Sequence, residues 1–196
     1  MSARTPHGRA LATLRGWAAP SVVQAALRDR FVVHLETHPD GLERACAPGH
    51  LTAGALVLSP GLDAVLLNLH GRARRWFHFG GHHEPDDGSL LGTATREAVE
   101  ESGIPGLALD PEPVHLDLHT VGFCRGHDTT DHLDVRYAAL APAGAEAEAS
   151  DESLDVRWWP LDALPPLAEE MHELIRLSRE RLQSTTSDPS SLAPAE

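Results

Sequence analysis

Three glutamates, Glu97, Glu100 and Glu101, are spaced three and four residues apart in the middle of the chain. In a helix, residues at this spacing share one face, and these carboxylates fall within an arc of roughly 100°. Small and apolar residues occupy the other side, as in a helix packed on a core: Leu91, Thr95, Ala98, Val99 and Ser102. Clustered carboxylates repel one another unless a cation joins them, and hard oxygen ligands favour Mg²⁺ or Mn²⁺. The spacing therefore predicts a divalent-metal site.

The surrounding residues 81–104 resemble the signature of the Nudix hydrolases, G-x5-E-x7-R-E-U-x-E-E-x-G-U, in which U is aliphatic. Gly81 opens this box, and residues 96–104 close it with Ala98 at the first aliphatic position. The middle departs from the pattern, because Asp87 replaces the glutamate and eight residues instead of seven separate it from Arg96. One extra residue, with Gly88 as the candidate, lies in the loop, or the helix begins later.

The resemblance implies an α/β (α+β) fold, a Nudix-type α/β/α sandwich with a mixed β-sheet. We expect an N-terminal helical extension over residues 1–47, the Nudix domain over 48–183 and a disordered tail over 184–196. Residues 1–19 have a weak helical pattern, and a clearer helix starts after Pro20-Ser21 and ends at residues 38–41. Hydrophobic periodicity and turn residues predict the remaining elements: strands over 50–58, 64–70, 76–79, 114–123, 132–140 and 154–159, and helices over 90–102 and 165–182.

The family resemblance also implies roles for individual residues. Glu97, Glu100 and Glu101 would be metal ligands, and one of them, or a more distant glutamate, would act as or orient the general base. Arg96 would pair with a box carboxylate, for which Asp87 is the candidate. Two further metal ligands are expected: the carbonyl of Gly81 and the side chain of Glu152 in a late acidic loop. The alternative for the three glutamates is a solvated acidic helix face.

Candidate substrate-binding residues flank the box. Arg72 and Arg75 could bind phosphate and Trp76 could stack on a ring, although a basic loop beside a core tryptophan is the alternative. Glu84 in the box loop and His119 on a later strand complete the set. His82 and His83, which precede Glu84, suggest zinc, but this part of the box accepts many residue types, and exposed or supporting histidines are the favoured interpretation.

Composition narrows the class of protein further. The 196 residues carry a formal charge of −13, which argues against a general nucleic-acid binder because phosphate backbones require a basic surface. The two cysteines are too few for a disulfide framework. No stretch has the roughly 18 apolar residues of a spanning helix. We therefore expect a cytoplasmic protein, and the family resemblance implies a small-molecule diphosphate or nucleotide as its partner and makes a homodimer a candidate.

Three functions follow from these features. The first is a Mg²⁺- or Mn²⁺-dependent pyrophosphohydrolase that cleaves a nucleoside diphosphate linked to another moiety, or a related organic diphosphate. The second is a catalytically silent Nudix domain that binds a nucleotide or other ligand. The third is a histidine-rich, metal-binding β-barrel unrelated to the Nudix family. The sequence does not name the substrate.

Overall fold

A computed structural model describes residues 4–122, 129–150 and 153–186. Within them the helices are α1 (Pro6–Gly16), α2 (Val22–Thr37), α3 (Leu90–Ser102) and α4 (Glu169–Thr186). The strands are β1 (Gly49–Leu58), β2 (Ala64–His70), β3 (Trp76–Phe77), β4 (Phe79–His82), β5 (Ala108–Leu109), β6 (His115–Val121), β7 (Thr130–Leu140) and β8 (Ser153–Pro160). A 3-10 turn over Pro85–Asp87 precedes α3.

The strands form one mixed sheet around β1. Strand β1 runs parallel to β7, from the pair Gly49 and Asp131 to the pair Leu58 and Leu140. It is antiparallel to both β2 and β4, while β6 pairs with β7 and β8 pairs with β2. A parallel pair needs a long crossover connection, and here α3 lies between the two strands in the chain.

The two faces of the sheet bury different sets of apolar side chains. On one face, Leu51, Ala53, Ala55 and Val57 pack with α1, α2 and α3. On the other face, Leu56 and Leu58 pack with residues of α4. Because side chains alternate along a strand, one strand can serve both cores. The sheet therefore lies between helices as the α/β/α prediction requires, and a β-barrel is excluded.

Toward the start of β1, the face shared with α4 becomes polar. We call this surface the polar face and define it by His50, Thr52, His82, His132 and Asp134. Thr52 is opposite His82, and His50 is opposite His132. Thr52 Oγ1 donates to Asp134 Oδ1 at 2.9 Å across the β1–β7 pair. The polar side chains of this face therefore lie where a core would otherwise continue.

The N-terminal helices pack into the main core and do not project from it. Leu14 and Trp17 of the α1 region, together with Phe31 and Leu35 of α2, are buried in the same cluster as β1. Gln24 lies 3% exposed and forms two hydrogen bonds with the backbone of Leu116 on β6. The Gln24 side-chain amide therefore pairs with the Leu116 backbone as a neighbouring strand would, at the β6 edge of the sheet.

Replacing Gln24 with Leu is expected to lower the free energy of unfolding by about 2–4 kcal/mol, because the N–H and C=O of Leu116 would lose buried partners. Equilibrium unfolding in urea measures this loss. The control is Val23→Ala on the same helix, where the side chain is 66% exposed and the expected change is within about 0.5 kcal/mol. Equal stability of the two variants would contradict the assigned role of Gln24.

Most predicted elements are present, with three corrections. The single strand expected over 76–79 is two strands, because pairing changes from β2 to β1 between Phe77 and Phe79. Strand β5 was not expected. Helix α4 begins at Glu169 and not at residue 165, since Pro165-Pro166 disfavours helical backbone, and it continues to Thr186, into the expected tail. Residues 187–196 of that tail lie outside the described residues.

Among the described residues, no helix combines the length and the apolar character needed to cross a membrane.

Candidate functional site

Helix α3 presents the three glutamates as its periodicity predicts. Its N-cap is Ser89, whose Oγ accepts from Gly92 N at 3.0 Å, and its C-cap is Gly103, whose φ of +69° is left-handed. Ala94 and Ala98 are buried against the sheet. The opposite face therefore turns toward the box loop and solvent.

Arg96 joins this helix to the box loop. Its Nε donates to Asp87 Oδ1 at 2.8 Å and its Nη2 donates to Asp87 Oδ2 at 3.1 Å, which is a bidentate pair. Nη2 also donates to the carbonyl of His82 at 2.9 Å. Gly88 has φ of +68°, a left-handed conformation that takes up the extra loop residue directly after Asp87. The additional residue therefore leaves the pairing intact.

Asp87 is enclosed by hydrogen-bond donors. Its side chain is 3% exposed, and its Oδ2 accepts from Thr93 Oγ1 at 2.9 Å and from Glu84 N at 2.8 Å. Burial alone would raise the pKa of this carboxyl, but Arg96 and these donors hold it below its usual value. The same hydrogen bond to Asp87 is the main reason why the pKa of Arg96 is raised. The pair stays ionised at neutral pH.

Glu97 lies against the backbone of Gly81. A Cβ at position 81 would overlap the Glu97 carboxylate, so glycine leaves the room that this group occupies. The Glu97 side chain is 15% exposed, and Arg96 Nη1 lies 3.1 Å from its Oε1. Burial raises the pKa of Glu97 against the opposing charge of Arg96. A divalent cation beside this carboxylate would offset that cost of burial.

The other two carboxylates are also held. Glu101 Oε2 accepts from Gly80 N at 3.0 Å, and Glu100 Oε2 accepts from Arg96 Nη1 at 3.0 Å while its side chain is 60% exposed. The donor set is all oxygen, which suits Mg²⁺ or Mn²⁺ in kind. Arg96 Nη1 contacts Glu97 as well as Glu100, so these two carboxylates lie beside one guanidinium nitrogen. The three carboxylates and the Gly81 carbonyl could hold such an ion.

The other residues predicted to bind metal or substrate lie in different places. Glu84 caps the 3-10 turn in the box loop. Trp76 packs edge-on against Trp159, with 5.3 Å between ring centroids, in the core beneath α4 and away from the α3 core. Arg72 lies in the β2–β3 turn, and the Arg75 guanidinium is 6.0 Å from the Phe77 ring.

Glu152 lies outside the described residues. His119 lies on β6 opposite His132, and its Nδ1 is 2.8 Å from Asp117 Oδ2. This hydrogen bond raises the pKa of His119 although burial opposes it. His119 is therefore a candidate for contact with an anion beside the polar face.

Sequence reasoning missed one group of side chains. Ring nitrogens of His50, His82 and His132 all lie within 4.8 Å of one another on the polar face. In the described part of the chain, this is the one set of three histidine, cysteine or acidic side chains that is so closely grouped. Burial and the positive charges nearby lower the pKa of His82 to about 3 and that of His132 to about 4, so both rings are neutral at pH 7. The three histidines are far apart in the sequence, so no local pattern groups them.

A comparison with protein families gives the decisive match: the model of the NUDIX domain covers residues 48–178, more than half of the 196-residue chain. The chain belongs to the Nudix family. It is a hydrolase that acts on phosphorus-containing anhydrides, as predicted from the box. The family match includes the box and the whole sheet, whereas α1 and α2 precede it.

Solved Nudix structures have the same fold. A NUDIX-family hydrolase from Clostridium perfringens is 23% identical with a TM-score of 0.52, covering 69% of this chain and 97% of that one. The NUDIX domain of Shewanella oneidensis NrtR, solved with ADP ribose, is 25% identical with a TM-score of 0.51, covering 71% and 92%. The MutT protein from Methanosarcina mazei is 19% identical with a TM-score of 0.51, covering 67% and 94%. A search of curated proteins finds no significant match.

Proposed function

We propose that this Nudix hydrolase is a Mg²⁺- or Mn²⁺-dependent pyrophosphohydrolase that cleaves a nucleoside diphosphate linked to another moiety. The observation that supports this proposal most is the bidentate Arg96–Asp87 pair, because it aligns the box loop with the carboxylate face of α3 despite the extra residue. The catalytic residues in this proposal are Arg96, Glu97, Glu100 and Glu101. The metal ligands are the three glutamates, the Gly81 carbonyl and Glu152.

The bound cation would neutralise the non-bridging phosphate oxygens and lower the pKa of the attacking water. The chain supplies the geometry for that chemistry. Arg96 contacts Glu97 and Glu100, and Gly80 N–H orients Glu101 on the same face of α3. One of these carboxylates accepts or directs the proton of the water. The charge of a divalent cation at this site would also reduce the repulsion that a chain of charge −13 exerts on a polyphosphate.

The proposed substrate class is a diphosphate with a nucleoside on one side. The ADP ribose in the NrtR structure belongs to this class, and that domain is 25% identical to this chain. Arg72, Arg75, Trp76 and Glu84 remain predictions for substrate contact, with Trp76 the least supported because it is packed against Trp159. His119 also remains a prediction for substrate contact, and its side chain lies on the polar face, away from α3.

The test is product release from a panel of nucleoside triphosphates, dinucleotides, nucleotide sugars, ADP ribose and non-nucleoside diphosphates. Each is assayed with Mg²⁺, with Mn²⁺ and with chelator. Metal-dependent cleavage of a nucleoside diphosphate derivative supports the proposal. Tight binding of a nucleotide without product in any metal would instead identify a silent ligand-binding domain.

Replacing Gly81 with Ala is expected to lower kcat/KM at least about 10-fold, because the new methyl group displaces the Glu97 carboxylate and small misplacements are costly in catalysis. The free energy of unfolding should change by less than about 1 kcal/mol. The new methyl group meets only the end of the flexible Glu97 side chain, and alanine in a strand loses less conformational freedom on folding than glycine does. Steady-state kinetics and urea unfolding measure the two effects.

Gly16→Ala is the matched control for this variant, because a Cβ there meets nothing within 4 Å. Its kcat/KM should equal that of the wild type. Equal activity of Gly81→Ala and Gly16→Ala would show that the position of Glu97 is unimportant to turnover.

A further inference from the structure

We propose that His50, His82 and His132 bind a divalent transition-metal ion, zinc above all, at a site separate from the glutamates of α3. The three residues lie on three adjacent strands, β1, β4 and β7. His50 and His132 form a register pair, and His82 is opposite Thr52, two residues along β1 from His50. Neighbouring strands in the interior of a sheet hold these rings on a rigid base, as a binding site requires.

The rings form a nearly equilateral triangle. Their centroids are 5.0 Å apart for His50 and His82, 5.0 Å for His50 and His132, and 5.1 Å for His82 and His132. Imidazoles arranged tetrahedrally around zinc, with Zn–N distances of about 2.0–2.1 Å, have centroids about 5 Å apart. The interplanar angles of 42°, 51° and 89° exclude stacking. The spacing of the rings therefore matches that of three imidazole ligands in a tetrahedral site.

One ring nitrogen of this group carries a second, independent indication of a ligand. Nε2 of His132 is buried and has no hydrogen-bond partner among the residues that the structure describes. A buried polar atom normally has a partner, and a missing one calls for an explanation. A metal ion bound by the three rings would supply that partner.

The site differs from the carboxylate site in position. Gly81 faces α3, since a Cβ there would meet Glu97. Successive side chains of a strand point to opposite faces, so His82 emerges on the side away from α3. The backbone of β4 therefore lies between the three histidines and the three glutamates.

The donor chemistry selects the class of ion. Neutral imidazole suits zinc and other late transition metals, whereas Mg²⁺ and Ca²⁺ prefer oxygen. Three histidines leave a fourth position, which water or a substrate oxygen can occupy. His82 and His132 are partly exposed and give access, while His50 is buried. The positive charge of Arg44 belongs to an exposed side chain that solvent screens, and the negative charge of Asp134 on the same face is balanced by its ion pair with Arg136.

The experiment titrates the full chain with Co²⁺ in the presence of excess Mg²⁺ and follows the visible spectrum, with bound metal counted after dialysis. We expect one Co²⁺ per chain with the intense bands of four-coordinate nitrogen ligation, and displacement of Co²⁺ by Zn²⁺. Glu101→Gln should give the same spectrum and the same stoichiometry. Weak bands of six-coordinate Co²⁺, or loss of binding in Glu101→Gln, would overturn the proposal.

His132→Ala is expected to weaken Co²⁺ binding more than about 100-fold. Even the loss of a residue that only hydrogen-bonds to a metal ligand lowers metal affinity about 10- to 100-fold, and His132 would be a ligand itself. His172→Ala, on the exposed side of α4, is the control and should bind as the wild type does. Equal binding by both variants would overturn the proposal. X-ray absorption of the zinc-loaded wild type tests the site without any variant: about three imidazoles support it, and an all-oxygen shell refutes it. None of these measurements depends on turnover.

Discussion

Replacing Glu101 with Gln is expected to lower kcat/KM for the cleaved diphosphate at least about 100-fold, which corresponds to roughly 2.7 kcal/mol of lost transition-state stabilisation. Gln keeps the size of the side chain and an oxygen that can accept from Gly80 N–H, but it lacks the negative charge that a divalent cation requires. The protein should remain folded, because only the charge is lost. Product release under Mg²⁺ measures the activity, and thermal unfolding measures the stability.

Glu169→Gln, an exposed glutamate at the start of α4, is the matched control for this charge change. It should retain full activity. If Glu101→Gln turned over substrate within about twofold of this control, α3 would not be the catalytic helix and its glutamates would be a solvated acidic face.

The second large effect concerns stability. Arg96→Gln is expected to lower the free energy of unfolding by about 2–4 kcal/mol at pH 7, because it leaves the 3%-exposed Asp87 carboxylate without its ionic partner. The hydrogen bond to the carbonyl of His82 is lost as well. Because the box loop loses its attachment to α3, kcat/KM should fall too. Equilibrium unfolding in urea measures the stability change.

The pKa of Asp87 determines how the stability contributed by its pair with Arg96 changes with pH. Its pKa is lower in the folded protein than in the unfolded chain, so its pairing with Arg96 stabilises the fold fully above the unfolded pKa of about 4. This contribution disappears as the pH falls through the folded pKa. The stability difference between wild type and Arg96→Gln should therefore be constant near neutrality and narrow below about pH 4.

Arg176→Gln breaks an exposed pair with Glu180 on α4, whose side chains are 55% and 57% exposed. Exposed i,i+4 pairs contribute about 0.3–0.5 kcal/mol, so this control should change stability little. If Arg96→Gln lowered the free energy of unfolding by no more than Arg176→Gln does, the bidentate pair would not be what stabilises the box loop.

Much of the candidate site could be predicted from local sequence. Ser89 and Gly103 mark the ends of α3, and the helical period of 3.6 residues places Glu97, Glu100 and Glu101 on one side. Alternating apolar residues and flanking turns likewise predicted β1 and β2 nearly to the residue. These features depend on backbone preferences and on neighbours within about four positions, which any stretch of chain carries in itself.

The deciding contacts of the site came from residues far apart in the chain. Whether Arg96 reaches Asp87 depended on the path of the box loop through the left-handed Gly88, which spacing alone left open. Gln24 and Leu116 are 92 positions apart, and their pairing makes the N-terminal helices part of the core. Such contacts form only when the whole chain is packed, because each one depends on the positions of several elements at once.

Local residue patterns are enough to establish the carboxylate face of α3, the acidic charge and the family resemblance. Three-dimensional packing is what brings His50, His82 and His132 to one surface, because parallel pairing of β1 with β7 sets that register. A shift of one residue would turn an entire strand's side chains to the opposite face. Register between distant strands is selected by packing across the whole sheet, and no local pattern in the chain records it.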